Sequence, residues 1–267
     1  MMSSVSSLLS AEWQRLRGAL QRLDTQTMTV CTLTAFLVVA QYVLGGRDMY
    51  YAVVADVLPA AWRGLGAWAW WFGVQGVLGF VVPLAVLRGA FKRSWADMGL
   101  GAGNARLAGA GLAVYLPLVA VGTWVLSDGA AFQQQYPHYQ PAAHAWDVWL
   151  LYEALFLFYW MGWEYLWRGF MIFGTRHTLG AYAIFVQAIP FAALHVQKPW
   201  PEAFLSVVGG LALGALVWRC RSFWIAVPLH AAQMMLLDFW CTLRIRSGAS
   251  GLGLGALMDA LQAMSRS

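Results

Sequence analysis

The sequence predicts an all-α fold: a polytopic bundle of about 7–8 transmembrane helices behind an amphipathic helix that lies in the membrane interface. Three observations predict it. Of 267 residues, 60% are hydrophobic and 11% charged, whereas soluble domains carry about 25% charge. Mean hydropathy is +0.58. Apolar runs of about 20 residues, the length that crosses a bilayer, recur along the chain, and short basic turns separate several of them.

Residues Met1 to Ser10 lack a basic region followed by an apolar core and a small-residue cleavage site, so they read as part of the mature chain. Leu9, Trp13, Leu16, Leu20 and Leu23 recur at steps of three and four while Arg15, Arg17 and Arg22 project elsewhere. Residues 1–25 therefore form the amphipathic helix. Spans are expected at 27–45, 66–88, 104–126, 148–174, 181–198, 203–218 and 222–242. The apolar stretch 49–62 contains Asp56 and Pro59 and reads as a re-entrant or interfacial piece. The transmembrane domain is 26–246, with its chemical core at about 148–242. Beyond it, 247–267 opens Gly/Ser-rich and is expected to be a flexible tail with a short weak helix through Leu261.

Charge placement gives the orientation. Arg15, Arg17 and Arg22 precede the first span; Arg88, Lys92 and Arg93 follow the second, Arg176 the fourth, and Arg219 with Arg221 the sixth. These ends are expected to be cytoplasmic. The loop from Ser127 to Asp147 holds no Lys or Arg and reads as extracytoplasmic, while Arg244 and Arg246 break the alternation. The net charge of +5 is thus topological and lipid-facing, with no sign of a nucleic-acid partner. Cys31, Cys220 and Cys241 are far apart and form no CxxC, which gives no support to a disulfide framework or a zinc knuckle; they read as packing residues.

Against this apolar background stand Glu164, Arg168, His195 and His230. An ionisable group at membrane depth costs roughly 2.5–3.5 kcal/mol, so several in neighbouring segments mark a site by default. Glu164 and Arg168 are one turn apart and can pair, which keeps the carboxylate ionised. Antiparallel helices bring His195 to the height of Glu164, and His230 enters near mid-membrane on the last span. A carboxylate so placed can take a proton from water; one imidazole can share that work or protonate a leaving amine, and the other can donate to an oxyanion. The bland alternatives are a structural ion pair and packing histidines. Ser206, Gly210 and Gly214, at four-residue spacing, form a small-residue helix face that ordinary packing explains.

The stretch from Tyr159 to Asp238 resembles the CPBP family, the CAAX proteases and bacteriocin-processing enzymes also called the Abi family. Its pattern is Glu-Glu-x-x-x-Arg, then Phe-x-x-x-His, then His-x-x-x-Asn or Asp. Ser94 to Leu100 resembles a segment seen before that family's core. Phe191 with His195 matches in full; Trp163 replaces the first Glu and Met234 the final Asn. The resemblance implies a glutamic-type intramembrane endopeptidase. A bacterial branch with a single Glu at this point implies Glu164 as the base. Gln233 and Asp238 are candidates to replace the missing Asn. Lys198 is a candidate for a substrate carboxylate or carbonyl, with Glu202 holding it; the plain reading of Lys198 is snorkelling to the interface.

The expected activity is hydrolysis of a peptide bond in a membrane-associated, anchored or lipidated protein by carboxylate-activated water, without a cofactor. The expected partners are membrane lipids and that substrate, and the expected location is a bacterial cytoplasmic (inner) membrane. Two alternatives stand beside it. One is a zinc-dependent protease with ligands drawn from His195, His230, Glu164 and Asp238, since two imidazoles and a carboxylate leave a position open for water. The other, motivated by Trp163 and Met234, is a non-catalytic relative that binds membrane peptides.

Overall fold

The computed structural model describes residues 2–265, with side chains from residue 5, and no strand occurs among them. Helix α1 is Met2–Leu20 and α2 is Thr25–Gly45, started by Asp24, whose side chain accepts from the Thr27 amide at 2.7 Å. That bond holds the Asp24 carboxyl below the usual carboxylate range. The stretch expected to be re-entrant breaks into α3, Arg47–Val53, and two single turns on either side of Pro59. Then come α4 (63–90), α5 (Ala105–Ser127) and the short α6 (Ala130–Gln135). The rest is α7 (146–179), α8 (Tyr182–Ala193), α9 (Trp200–Cys220), α10 (Ala226–Ser247) and α11 (Leu254–Gln262).

Helices α2, α4 with the turn before it, α5 and α9 are long and apolar enough to cross a membrane by length and composition alone. Helices α7 and α10 reach similar lengths and carry the ionisable groups. The protein is an integral membrane protein built as an all-α bundle. Helix α8 is shorter than its expected span. It stops at Ala193; the Leu194 N–H still bonds the Pro190 carbonyl at 3.1 Å, and the chain then turns toward Pro199. His195 therefore lies in the turn beyond the helix.

The basic ends gather at one end of the bundle. Arg93 Nε donates to Gln26 Oε1 at 2.6 Å, Gln26 Nε2 to the Gly174 carbonyl at 2.6 Å, and Arg176 Nη2 to Asp97 Oδ1 at 3.1 Å. Two glycines set how closely α4 and α7 cross. A Cβ on Gly79 would stand 2.4 Å from the Gly162 carbonyl oxygen, and one on Gly162 would stand 2.4 Å from that of Gln75. No side chain fits there, so the backbones touch and the segment that follows Gly162 is fixed against α4. Helix α7 changes pitch at this point: Tyr165–Met171 is a π-helical turn, a feature frequent at functional sites. The small-residue face of α9 works as its spacing suggests, with Gly210 against Phe191 and its carbonyl accepting from Gln187 Nε2 at 3.0 Å.

The stretch after residue 247 makes specific contacts with the bundle. Arg244, 1% exposed, donates to Ser127 Oγ at 2.9 Å, Asp128 Oδ1 at 2.9 Å, and the carbonyls of Ala249 at 3.2 Å and Gly251 at 3.0 Å. Its guanidinium lies 3.7 Å from the Trp124 ring centre. Residues 248–251 are thereby tied to the end of α5, and α11 packs back on α10. Arg244 broke the charge alternation because it is an internal connector rather than a topological marker. Arg246 lies over the Trp146 ring at 4.8 Å.

Candidate active site

Glu164 ends the α-helical part of α7, and Arg168 occupies the π turn that follows. Both side chains are fully buried. Glu164 Oε1 accepts from Arg168 Nη1 at 3.0 Å and from His230 Nδ1, on α10, at 2.6 Å. Its Oε2, together with Arg168 Nε and Nη2, has no hydrogen-bond partner. The guanidinium also lies 4.0 Å from the Phe191 ring centre. With Glu164 as the acceptor, the bond engages the His230 Nδ1 proton, and Nε2 is the ring nitrogen left without a partner.

His195 repeats the arrangement with a different anchor. Its Nδ1 bonds the Phe191 carbonyl at 2.7 Å, a carbonyl near the end of α8, and Nε2 is again left free. The Trp163 ring, in the place where the family pattern has its first Glu, meets the His195 ring edge-on at 6.0 Å. Both imidazoles are near the surface of open space.

That space is a pair of cavities. One, about 320 Å³, runs between α5 and α9 and is lined by Tyr115, Arg168 and Gln233 besides mostly apolar side chains. Its wall includes Leu118, Leu205 and Val208, each more than half exposed on the outside of the bundle. The other, about 350 Å³, is more polar and is lined by Arg47, His138, Trp163, Lys198 and Met234. His195, Glu202 and His230 line both. Glu164 lines neither, standing behind His230 and Arg168.

The supporting candidates divide. Gln233 faces the apolar cavity, its Oε1 accepting from the Tyr115 hydroxyl. Asp238 does not join the group; it faces Glu153 in the core. Lys198 does not snorkel. Its Nζ donates to the Tyr136 hydroxyl at 2.9 Å and to His138 Nε2 at 3.1 Å, and stands 3.9 Å from Glu202 Oε1. The Tyr136 hydroxyl reaches Glu202 Oε1 at 2.7 Å and Oε2 at 2.6 Å. Of the residues named for zinc, Glu164 and His230 touch, His195 is tied through Nδ1 to backbone, and Asp238 lies elsewhere. Among the described residues no group of three or more His, Cys, Asp or Glu is gathered around one point.

Tyr115, Tyr136 and His138 were not singled out in the sequence. Tyr115 stands in an apolar span with no spacing signal. Tyr136 and His138 fall in the loop marked by its lack of Lys and Arg and by its glutamines and histidines, which gave it a side of the membrane and no chemistry. A buried tyrosine needs a partner for its hydroxyl, but the partner's identity is a property of the fold.

The family model described as type II CAAX prenyl endopeptidase Rce1-like matches residues 145–236, about a third of the chain. Over that stretch the chain is similar to the CAAX prenyl endopeptidases. Comparison with curated proteins and with solved structures gave no match. The matched stretch contains Glu164, Arg168, His195, Lys198, Glu202 and His230. Parts that complete the cavities lie outside it: Arg47, Tyr115 and His138 come from the region before residue 145, as does Tyr136, which bonds Glu202. CAAX prenyl endopeptidases are hydrolases, and that is the enzyme class to which the similarity points.

Proposed function

We propose that the chain is an intramembrane endopeptidase of a bacterial cytoplasmic membrane. It hydrolyses a peptide bond in a membrane-associated, anchored or lipidated protein with water activated by a carboxylate. One observation carries the reading: two imidazoles with free Nε2 atoms and the Glu202 carboxylate line both an apolar and a polar cavity, and a guanidinium with unengaged donors lines the apolar one. An apolar segment of the substrate occupies the cavity between α5 and α9, and the polar side of the scissile bond lies toward Lys198.

Each group has a task. Arg168 Nε and Nη2 face the carbonyl oxygen, where fixed donors in a dry site stabilise the charge that develops. His195 Nε2 passes a proton to the leaving amine. Glu164 was expected as the direct base; with Oε1 engaged twice and the side chain behind the cavity wall, it acts by fixing Arg168 and His230. The mechanism needs no cofactor; the zinc alternative is tested with it.

Membrane proteomes of cells with and without the chain, compared for new termini, test the activity. A peptide spanning such a cut is then incubated with purified protein in lipid nanodiscs, with and without chelator. Cleavage that survives chelation supports the reading. Cleavage lost on chelation and restored by zinc supports the metal form, and the absence of new termini supports the non-catalytic relative.

A further inference from the structure

We propose that Glu202 is the carboxylate that takes the proton from the attacking water. The inference rests on the endopeptidase reading and adds the residue that completes it. A chain passing from one cavity to the other meets three titratable side chains common to both, His195, Glu202 and His230. Glu202 is the carboxylate among the lining residues of either cavity; Glu164 is enclosed, and the first acidic position of the family pattern is filled by the Trp163 ring. The acid needed at the junction comes instead from the start of another helix.

The surroundings of Glu202 suit it to that work. It is the third residue of α9, where unpaired backbone N–H groups and the helix dipole favour an anion. Its side chain is 11% exposed, and the Tyr136 hydroxyl spans both oxygens while Lys198 stands 3.9 Å away. Tyr136 is itself fixed, because its oxygen accepts from Lys198, which also holds His138. An ionised carboxylate accepts at about four sites, so one hydroxyl leaves capacity for water. Tyr136 and Lys198 are positioning residues for this carboxylate.

The step balances. The water oxygen bonds the carbonyl carbon as one of its O–H bonds breaks; the proton goes to Glu202 and the carbonyl electron pair to the oxygen facing Arg168. Collapse of the adduct breaks the C–N bond. The proton on Glu202 reaches the departing nitrogen, directly or through His195 Nε2, giving a carboxylic acid, an amine and the starting carboxylate.

The test uses the full chain in nanodiscs and the peptide spanning a new terminus found in the membrane proteome, with E202Q, E202D and Y136F beside the wild type. Loss of a general base costs typically 10²–10⁴-fold. E202Q is expected to lose about 100-fold or more in kcat at nearly unchanged KM. E202D is expected to recover part of that loss, and Y136F to fall by a smaller factor in kcat alone. Wild-type kcat in E202Q, or a loss confined to KM, overturns the assignment while leaving the endopeptidase reading intact, because the wild type still cuts. If E202Q fails to fold, E202D decides: a KM effect without a kcat effect overturns it. A wild type that cuts nothing removes both readings.

Discussion

Glu164 and His230, 66 positions apart in sequence, are joined by a 2.6 Å hydrogen bond from His230 Nδ1 to Glu164 Oε1. The same oxygen holds Arg168, so one atom ties the π turn of α7 to α10. The first three predictions concern this junction and the crossing that positions it.

Glu164→Gln removes the charge that Arg168 faces. Breaking a buried pair by neutralising one partner costs about 3–5 kcal/mol. The variant is expected to lose cleavage and to unfold at a markedly lower temperature in nanodiscs. Arg168→Lys is expected to lose cleavage with a smaller stability change, since an ammonium keeps the charge but lacks the planar set of donors. Full activity in either variant would remove that residue from the site.

His230→Asn separates holding from chemistry. The Asn amide nitrogen can stand where Nδ1 stands and keep the bond to Glu164, but nothing replaces Nε2 at the cavities. The expected result is a folded, inactive protein. His230→Ala is expected to lose stability as well, because the Glu164 bond goes with it. Comparable thermal unfolding for the two variants would contradict the role assigned to Nδ1.

Gly162→Ala places a methyl group on the Gln75 carbonyl, at a separation of 2.4 Å before relaxation. Overpacking costs typically 1–3 kcal/mol, and here the obstacle is backbone. Reduced thermal stability and loss of cleavage are expected together, because Trp163 and Glu164 follow directly. A wild-type melting profile would mean that α4 and α7 part easily.

Arg244→Ala is expected to release residues 248–251 and destabilise the end of α5, leaving the Ser127 and Asp128 side chains and two carbonyls without their donor. Unpaired buried groups cost about 1–3 kcal/mol each. Faster proteolysis after residue 247 is the readout. A tail that stays protected would show that α11 holds itself in place.

Orientation can be read by thiol labelling in a cysteine-free background. Cysteines at Gln134 and Gln197, both exposed, are expected to react with an impermeant reagent in intact spheroplasts, and one at the exposed Lys92 is not. The reverse pattern would turn the polar cavity toward the cytoplasm.

The bundle was legible because its signal is additive: long apolar runs and basic turns survive a wrong boundary or two. His195 and His230 were legible as polar groups in the wrong solvent. The depth argument paired Glu164 with His195 and put His230 near mid-membrane; it is His230 that bonds Glu164, while His195 bonds the Phe191 carbonyl. Other features depend on relationships no local pattern carries. The π turn at 165–171 has no composition signal. Arg244 looked like a topological charge until its partners in the tail were seen. Asp238 shares a helix face with His230 but lies too far along α10 to reach Glu164. Tyr136 and Glu202 belong to segments of different character, joined only when α9 starts beside the loop after α6.

The apolar cavity lies between α5 and α9, which touch each other sparsely because each packs mainly on another helix, α5 on α10 and α9 on α8. On the proposed function, an apolar substrate segment enters that seam from within the bilayer plane. Substrate is then counted per unit area of lipid rather than per volume of solution. Adding lipid to the membrane that holds both partners leaves the bulk substrate concentration nearly unchanged while thinning their encounters. On that reading, surface dilution acts as an inhibitor.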